Sequence, residues 1–271
     1  MRRLDAVLVL VLLVFAAFIG TQVFRASNAR AAVHKKTHVA ASAPIARPAP
    51  FAMQQQPEMG SDSSELRTTF VKSALPAPVR DEADIRSRIA AVASGTYMSD
   101  MIGDLNGMLV RWPDHGQPLR VWVQSRTDVP DYQPTDAQTA QDAFADWQHS
   151  GFPLRFDFIL DSTTADIRLI WTDRFSPDAG LRVGSTSRTS DQHGWIVDAQ
   201  ILVALHDSAG TLIPPAALAG IVKHEAGHAL GLGHSRDEKT MMFPTEMVHD
   251  IAPSDRNTLR LLYSIPPGPL K

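Results

Sequence analysis

Apolar positions change their spacing several times along the chain, and each change marks an element. From Ala6 to about Phe24 the run is almost unbroken, with Arg2 and Arg3 before it. Basic residues ahead of an apolar run hold that end in the cytoplasm and send the rest outward. Residues 1–31 therefore read either as a cleaved signal peptide, with Ala29-Arg30-Ala31 as its small-residue site, or as a retained membrane anchor. Residues 32–80 hold Ala, Pro, Ser and Gln with few large apolar side chains, too few to offset ordering entropy. They read as linker, so removal of residues 1–80 is expected to leave a working domain.

Helical spacing begins at Asp81. Ile85, Ile89 and Val92 fall at i, i+4 and i+7, which predicts a helix from Asp81 to Ser94 in a short unit spanning 81–95. A main domain follows over 96–265, and 266–271 read as a tail. Leu119 to Val123 alternates in the strand period. Thr135-x-x-Gln138 fits a capping box ahead of a helix with Ala140, Phe144 and Trp147 on one face. Leu154, Phe156 and Phe158 alternate, as do Ile167, Leu169 and Trp171. A Gly/Ser/Asp-rich stretch from Gly184 to Gly194 precedes a strand near Ile201 to Leu205. Pro214 and Pro215 open a second helix, since proline suits a first helical turn. A last helix is expected from Asp255 to Tyr263 behind a Ser254 cap. The order β-α-β-β-β-β-α-loop-α predicts an α/β (α+β) fold.

Composition narrows the function. The 271 residues are 44% hydrophobic and 20% charged, as in a globular protein. A net charge of −3 argues against nucleic acid as a partner, which calls for a basic patch. With no cysteine there is no disulfide and no thiolate metal ligand, so a zinc ion must be held by His or carboxylate. The tryptophans at 112, 122, 147, 171 and 195 spread over separate elements and read mainly as core. No motif speaks to oligomeric state.

The chemistry lies in His224-Glu225-x-x-His228-x-x-Gly231-x-x-His234. At about 100° per residue, His224 and His228 share one helix face one turn apart, with Glu225 beside them. Ala219, Val222, Ala226 and Ala229 occupy the other face, small and apolar enough to pack. A catalytic zinc site takes three protein ligands and leaves the fourth position to water. His234 completes the set only if the helix stops, and Gly231 is where it should turn back, with Gly233 adding freedom. Glu225 is placed to act as general base and acid toward water that zinc makes acidic near neutral pH.

These residues resemble the metzincin metallopeptidases, and within them the matrixins, the matrix-metalloproteinase type. Ser235 and Asp237 follow the third histidine, and Thr240-Met241-Met242-Phe243-Pro244 resembles the matrixin Met-turn, with Met242 beneath the metal. Leu261-Leu262-Tyr263 resembles the end of the last matrixin helix. The match is sharp from His224 to Pro244, looser over 97–265, and absent from 1–80. The resemblance implies a twisted, mostly parallel five-stranded sheet with an active-site helix and a C-terminal helix. It also implies one catalytic Zn²⁺ and a protein or peptide substrate lying extended along an edge strand, here around Arg182 to Arg188. The family's cysteine-switch is missing, as is its histidine-rich structural-zinc loop between Ile170 and Val203. His193 and His206 remain as a candidate pair for a second zinc, and Asp173, Asp178 and Asp191 as candidate structural Ca²⁺ ligands. Glu246 stands where the family's tyrosine follows the Met-turn proline. The whole pattern suggests a bacterial envelope protein, secreted or membrane-tethered. Two function classes follow: an active zinc metalloendopeptidase, and a zinc-bearing envelope binding protein without turnover.

Overall fold

The computed structural model describes residues 64–114, 116–245 and 250–270. The Ala6–Phe24 run, the Ala29-Arg30-Ala31 site and Glu246 lie outside these residues. Among the described residues no helix is long and apolar enough to cross a membrane.

Six strands form the main sheet. They are β1 (Ser64–Val71), β3 (Leu119–Val123), β4 (Phe156–Phe158), β5 (Ile167–Thr172), β6 (Gly184–Asp191) and β7 (Ile196–Ala204). Their spatial order is β1-β6-β7-β5-β3-β4. All neighbours run parallel except β6 and β7, which run antiparallel. Five of these strands are the expected ones, and the α/β architecture with a mostly parallel sheet stands. Alternation explains their faces: in β5, Ile167, Leu169 and Trp171 are buried while the residues between them are half-buried.

The sixth strand corrects the sequence reading. Ser64–Val71 falls inside the stretch taken as linker, yet all eight residues pair in register with β6, from Ser64 opposite Gly184 to Val71 opposite Asp191. Residues 72–80 are also tied down. The Ser73 hydroxyl donates to Asp191 Oδ2 at 2.7 Å, and the Trp195 indole donates to Pro76 O at 2.9 Å. Arg80 donates to the carbonyls of Pro266, Pro267 and Pro269. The packed domain thus includes Ser64 to Arg80, and a chain cut at Asp81 would lose a strand and its tether. The C-terminal boundary moves as well. Within residues 266–271, the expected tail, β8 (Gly268–Pro269) pairs antiparallel with β2 (Met108–Leu109).

The helices are α1 (Glu82–Ala91), α2 (Met98–Asp104), α3 (Pro134–His149), α4 (Pro215–Ala229) and α5 (Pro253–Ser264). Asp81 caps α1 by accepting from the Ala83 and Asp84 amides. Two caps differ from expectation by a residue or two. At α3 the carboxylate that closes the box is Asp136, which accepts from the Gln133 amide at 2.7 Å. At α5 the helix begins at Pro253, and Asp255 takes the Ala252 amide at 2.8 Å in place of a Ser254 cap. Proline restricts the preceding residue to extended backbone and fits the first turn, so both helices start two residues earlier than the polar residues suggested.

Helices α3 and α4 pack on each other, and α4 lies along β6 and β7. Trp147 joins them: its indole is fully buried and donates to Lys223 O at 2.8 Å. Small residues on α4 allow the close approach, since a Cβ on Gly227 would strike Met242 and Trp147.

Candidate active site

Helix α4 carries the first two histidines and Glu225, and its end delivers the third. Pro214 caps the helix and Pro215 opens it, as the dipeptide predicts. At the other end Gly231 has φ +109, which a side chain would strain. The Gly231 amide donates to His228 O at 3.0 Å and the Leu232 amide to Gly227 O at 3.0 Å. That pair of bonds is a Schellman turn, and it reverses the chain toward His234. Gly233 has an ordinary φ. Its role is space, because a Cβ there would sit 2.9 Å from Met101 Cγ.

The turn brings the three imidazoles together. His224 Nε2 and His228 Nε2 lie 3.0 Å apart, and His228 Nε2 and His234 Nε2 lie 3.1 Å apart. Among the described residues this is the one group of three or more His, Asp or Glu side chains gathered closely enough for a metal ion. Two of the rings are oriented from behind. His224 Nδ1 bonds Met241 O at 2.7 Å, and His228 Nδ1 bonds Leu232 O at 3.0 Å. A carbonyl can only accept, so each Nδ1 carries the proton and each Nε2 presents a lone pair. Burial holds the three histidines below the usual imidazole range, His224 to about 3 and His234 to about 4. They are therefore neutral at pH 7, as metal ligands must be. Nitrogens on a tetrahedral zinc are roughly 3.3 Å apart, from bond lengths of about 2.0–2.1 Å, so the cluster needs little adjustment. A buried, neutral, convergent trio of nitrogens fits that ion.

Below the histidines lies the segment expected to form the Met-turn. Met242 is fully buried and packs against Gly227, midway between Glu225 and Ala229 on α4. Asp255 holds this segment by accepting from the Met241 amide at 2.9 Å, while Met241 O receives His224 Nδ1. Asp255 thus supports the first histidine through one peptide unit. Burial raises its pKa, against the pull of the Met241 and Ala252 amides and the Tyr97 hydroxyl.

Glu225 is fully buried between α4 and the end of β6. The Thr186 hydroxyl donates to Glu225 Oε2 at 2.5 Å. A Cβ on Gly184 would collide with the carboxylate, so the glycine makes room for it. Burial pushes the carboxyl up to about 7, partly offset by the Ser64 and Thr186 hydroxyls and the Arg182 guanidinium. Oε1 has no hydrogen-bond partner of good geometry, and neither has the nearby Ser64 hydroxyl.

Sequence reasoning missed Ser64, Thr186, Arg188 and Asp255. Each reaches the site from an element distant in sequence, so no local spacing marks it. The other candidates do not assemble. The ring of His206 lies between Asp131 and Asp173, at 3.1 and 2.8 Å, and His193 is not part of that group. Asp191 accepts from Ser73, His193 and Trp195, a turn-forming role. No metal-holding group that includes Asp173, Asp178 or Asp191 forms among the described residues.

Comparison with known proteins agrees with this geometry. The matrixin family profile matches residues 119–264, more than half of the chain. The Metalloendoproteinase 1-MMP of Arabidopsis thaliana is 29% identical over 153 residues, which cover 49% of this chain and 38% of that protein. The chain therefore spans well under half the length of the relative it matches. The profile match runs from strand β3 through the histidine motif to the last helix, and on that match the chain belongs to the matrixin family.

Proposed function

We propose that the protein is a metalloendopeptidase of extracytoplasmic proteins, with His224, His228 and His234 holding one zinc and Glu225 as general base. The observation that carries this reading is the convergence of the three imidazole Nε2 atoms, with the Glu225 carboxyl buried one residue from the first histidine. A carboxyl with a pKa near the working pH can both accept and return a proton. Zinc, when bound, would supply Lewis-acid polarisation of the scissile carbonyl and acidify water. Glu225 would take the proton from the attacking water and return it to the leaving amine. Thr186 would fix the carboxylate by holding Oε2, leaving Oε1 for the proton.

Access to the site supports a second part of the proposal. A peptide substrate would add to the edge of β6, where backbone groups of an extended segment can pair. Strand β1 pairs along that whole edge, and Ser64 lies opposite Gly184 beside Glu225. Substrate pairing therefore requires β1 to leave. Outward targeting rests on the Arg2-Arg3 flanked apolar run, with cleaved and anchored forms separable by membrane fractionation.

The test is Glu225→Gln, compared with the unsubstituted protein at equal zinc content on a quenched peptide library. Zinc and fold are expected to survive while turnover falls about 10²–10⁴-fold. Undiminished cleavage by the zinc-loaded variant would refute the base assignment. No cleavage by the unsubstituted protein with β1 released would favour the binding-protein class.

A further inference from the structure

Arg188 sits in the middle of β6 with 1% of its surface exposed. Its side chain points to the same inner face as Gly184 and Thr186, along α4. Nη1 donates to His228 O at 2.7 Å and to Leu232 O at 3.2 Å. Nε donates to Thr68 Oγ1 at 3.0 Å, and Nη2 has no hydrogen-bond partner. None of these acceptors is a carboxylate. A buried cation without an anion is costly, and an apolar side chain could fill the space at a lower desolvation cost. What it meets instead is the C-terminal end of α4, where the last carbonyls carry partial negative charge.

The two carbonyls have particular positions. His228 O belongs to the second histidine's own peptide and also receives the Gly231 amide. Leu232 O lies beyond the glycine turn and receives His228 Nδ1. One guanidinium nitrogen thus bridges the chain before and after the reversal. It holds the acceptor that orients the His228 ring, and it closes the turn that delivers His234.

We infer that Arg188 is a positioning residue for the zinc site, clamping the turn so that His228 and His234 meet the metal in fixed geometry. This rests on the three-histidine reading above and goes beyond it by assigning the clamp to β6. Partners behind metal ligands typically contribute about 10–100-fold to affinity or activity, which sets the expected scale.

The experiment uses the full chain with Arg188→Met, Arg188→Gln and Arg188→Lys. Zinc affinity is measured by competition with a chromophoric chelator, and ligand geometry by the visible spectrum of the Co²⁺ form. The neutral variants are expected to bind zinc about 10–100-fold more weakly, with shifted cobalt bands. Lysine, which keeps a charged donor, should recover most of the affinity. Ser187→Ala, on the exposed face of the same strand, should leave affinity unchanged. Thermal unfolding separates this from a folding role, and glutamine serves if the methionine variant does not fold. A neutral variant that loses stability but keeps full zinc affinity and an unshifted spectrum would overturn the inference. So would failure of both neutral variants to fold, since the role would then lie in folding. If the unsubstituted protein takes up no zinc, the three-histidine reading itself falls.

Discussion

Helix α4 with its glycine turn and strand β1 with its tether flank the same strand, β6, yet they were written into the sequence in different ways. The helix is spelled out locally. Its proline entry, its small packing face and its glycine exit each act within a few residues, and the three histidines sit on the spacing those features impose. Strand β1 reads Ser-Glu-Leu-Arg-Thr-Thr-Phe-Val, with no strict alternation and little apolar area. It forms because β6 offers an open row of backbone donors and acceptors, which nearly any extended segment can satisfy. A chemical site needs particular side chains at particular spacings, while an edge needs only a backbone.

Removing a ligand is expected to produce the largest effect on the helix side. His234→Ala should lose tight zinc binding by more than the roughly 10–100-fold of an outer partner, because it removes one of the three nitrogens proposed to bind the metal. Metal analysis after gel filtration checks this, and full zinc retention would break the claim that the turn exists to return a ligand.

On the β1 side, a covalent lock sharpens the comparison. The chain has no cysteine, so Thr69→Cys with Thr189→Cys creates a single possible disulfide between partners in the β1–β6 register. Neighbouring strands lie about 4.8 Å apart, within the span a disulfide bridges. The oxidised protein should be inactive toward peptides, and reduction in the same sample should release activity. Equal cleavage before and after reduction would mean that β1 stays in place during turnover and that substrate binds elsewhere.

Smaller effects separate the two glycines after α4. Gly231→Ala forces a side chain into φ +109 and puts a Cβ 2.5 Å from Val110 O. A destabilisation of about 1–3 kcal/mol or more is expected, read as a lowered unfolding midpoint in denaturant. Gly233→Ala meets Met101, with Cγ at 2.9 Å, but needs no positive φ and should cost less. An equal loss at both positions would remove the distinction between a turn glycine and a space-making one. The smallest effect belongs to the tether. Ser73→Ala deletes the hydrogen bond to Asp191, which keeps its two amide donors, and the one accepted from the Leu75 amide, and should cost about 0.5–1.5 kcal/mol in the same assay.

Much of the fold was legible because its signals are short in range. The alternation in β3 and β5 and the spacing of Ala140, Phe144 and Trp147 on α3 all carried over into the structure. Errors gathered where a residue's role is set by a distant partner. The 32–80 stretch was weighed by its own apolar content, and that measure takes no account of an edge waiting elsewhere. The segment around Arg182 to Arg188 was placed at the sheet's edge, and β6 is indeed the outermost of the five expected strands. The sixth strand turned that edge into an interior position and buried Arg188 with it.

By itself the sequence determined which three histidines and which neighbouring carboxylate come together, the helix that spaces them and the glycine that turns the chain. Those follow from helical geometry and from glycine's freedom at positive φ, and neither depends on what lies across the fold. Only the tertiary structure decided which groups hold the site from behind and what covers it. Thr186 meets Glu225 across 39 residues, Arg188 meets His228 across 40, and Thr68 meets Arg188 across 120. Such contacts arise where two elements pack against a third. A hydroxyl or guanidinium found there in three dimensions is indistinguishable, in one dimension, from the same group on a solvated surface.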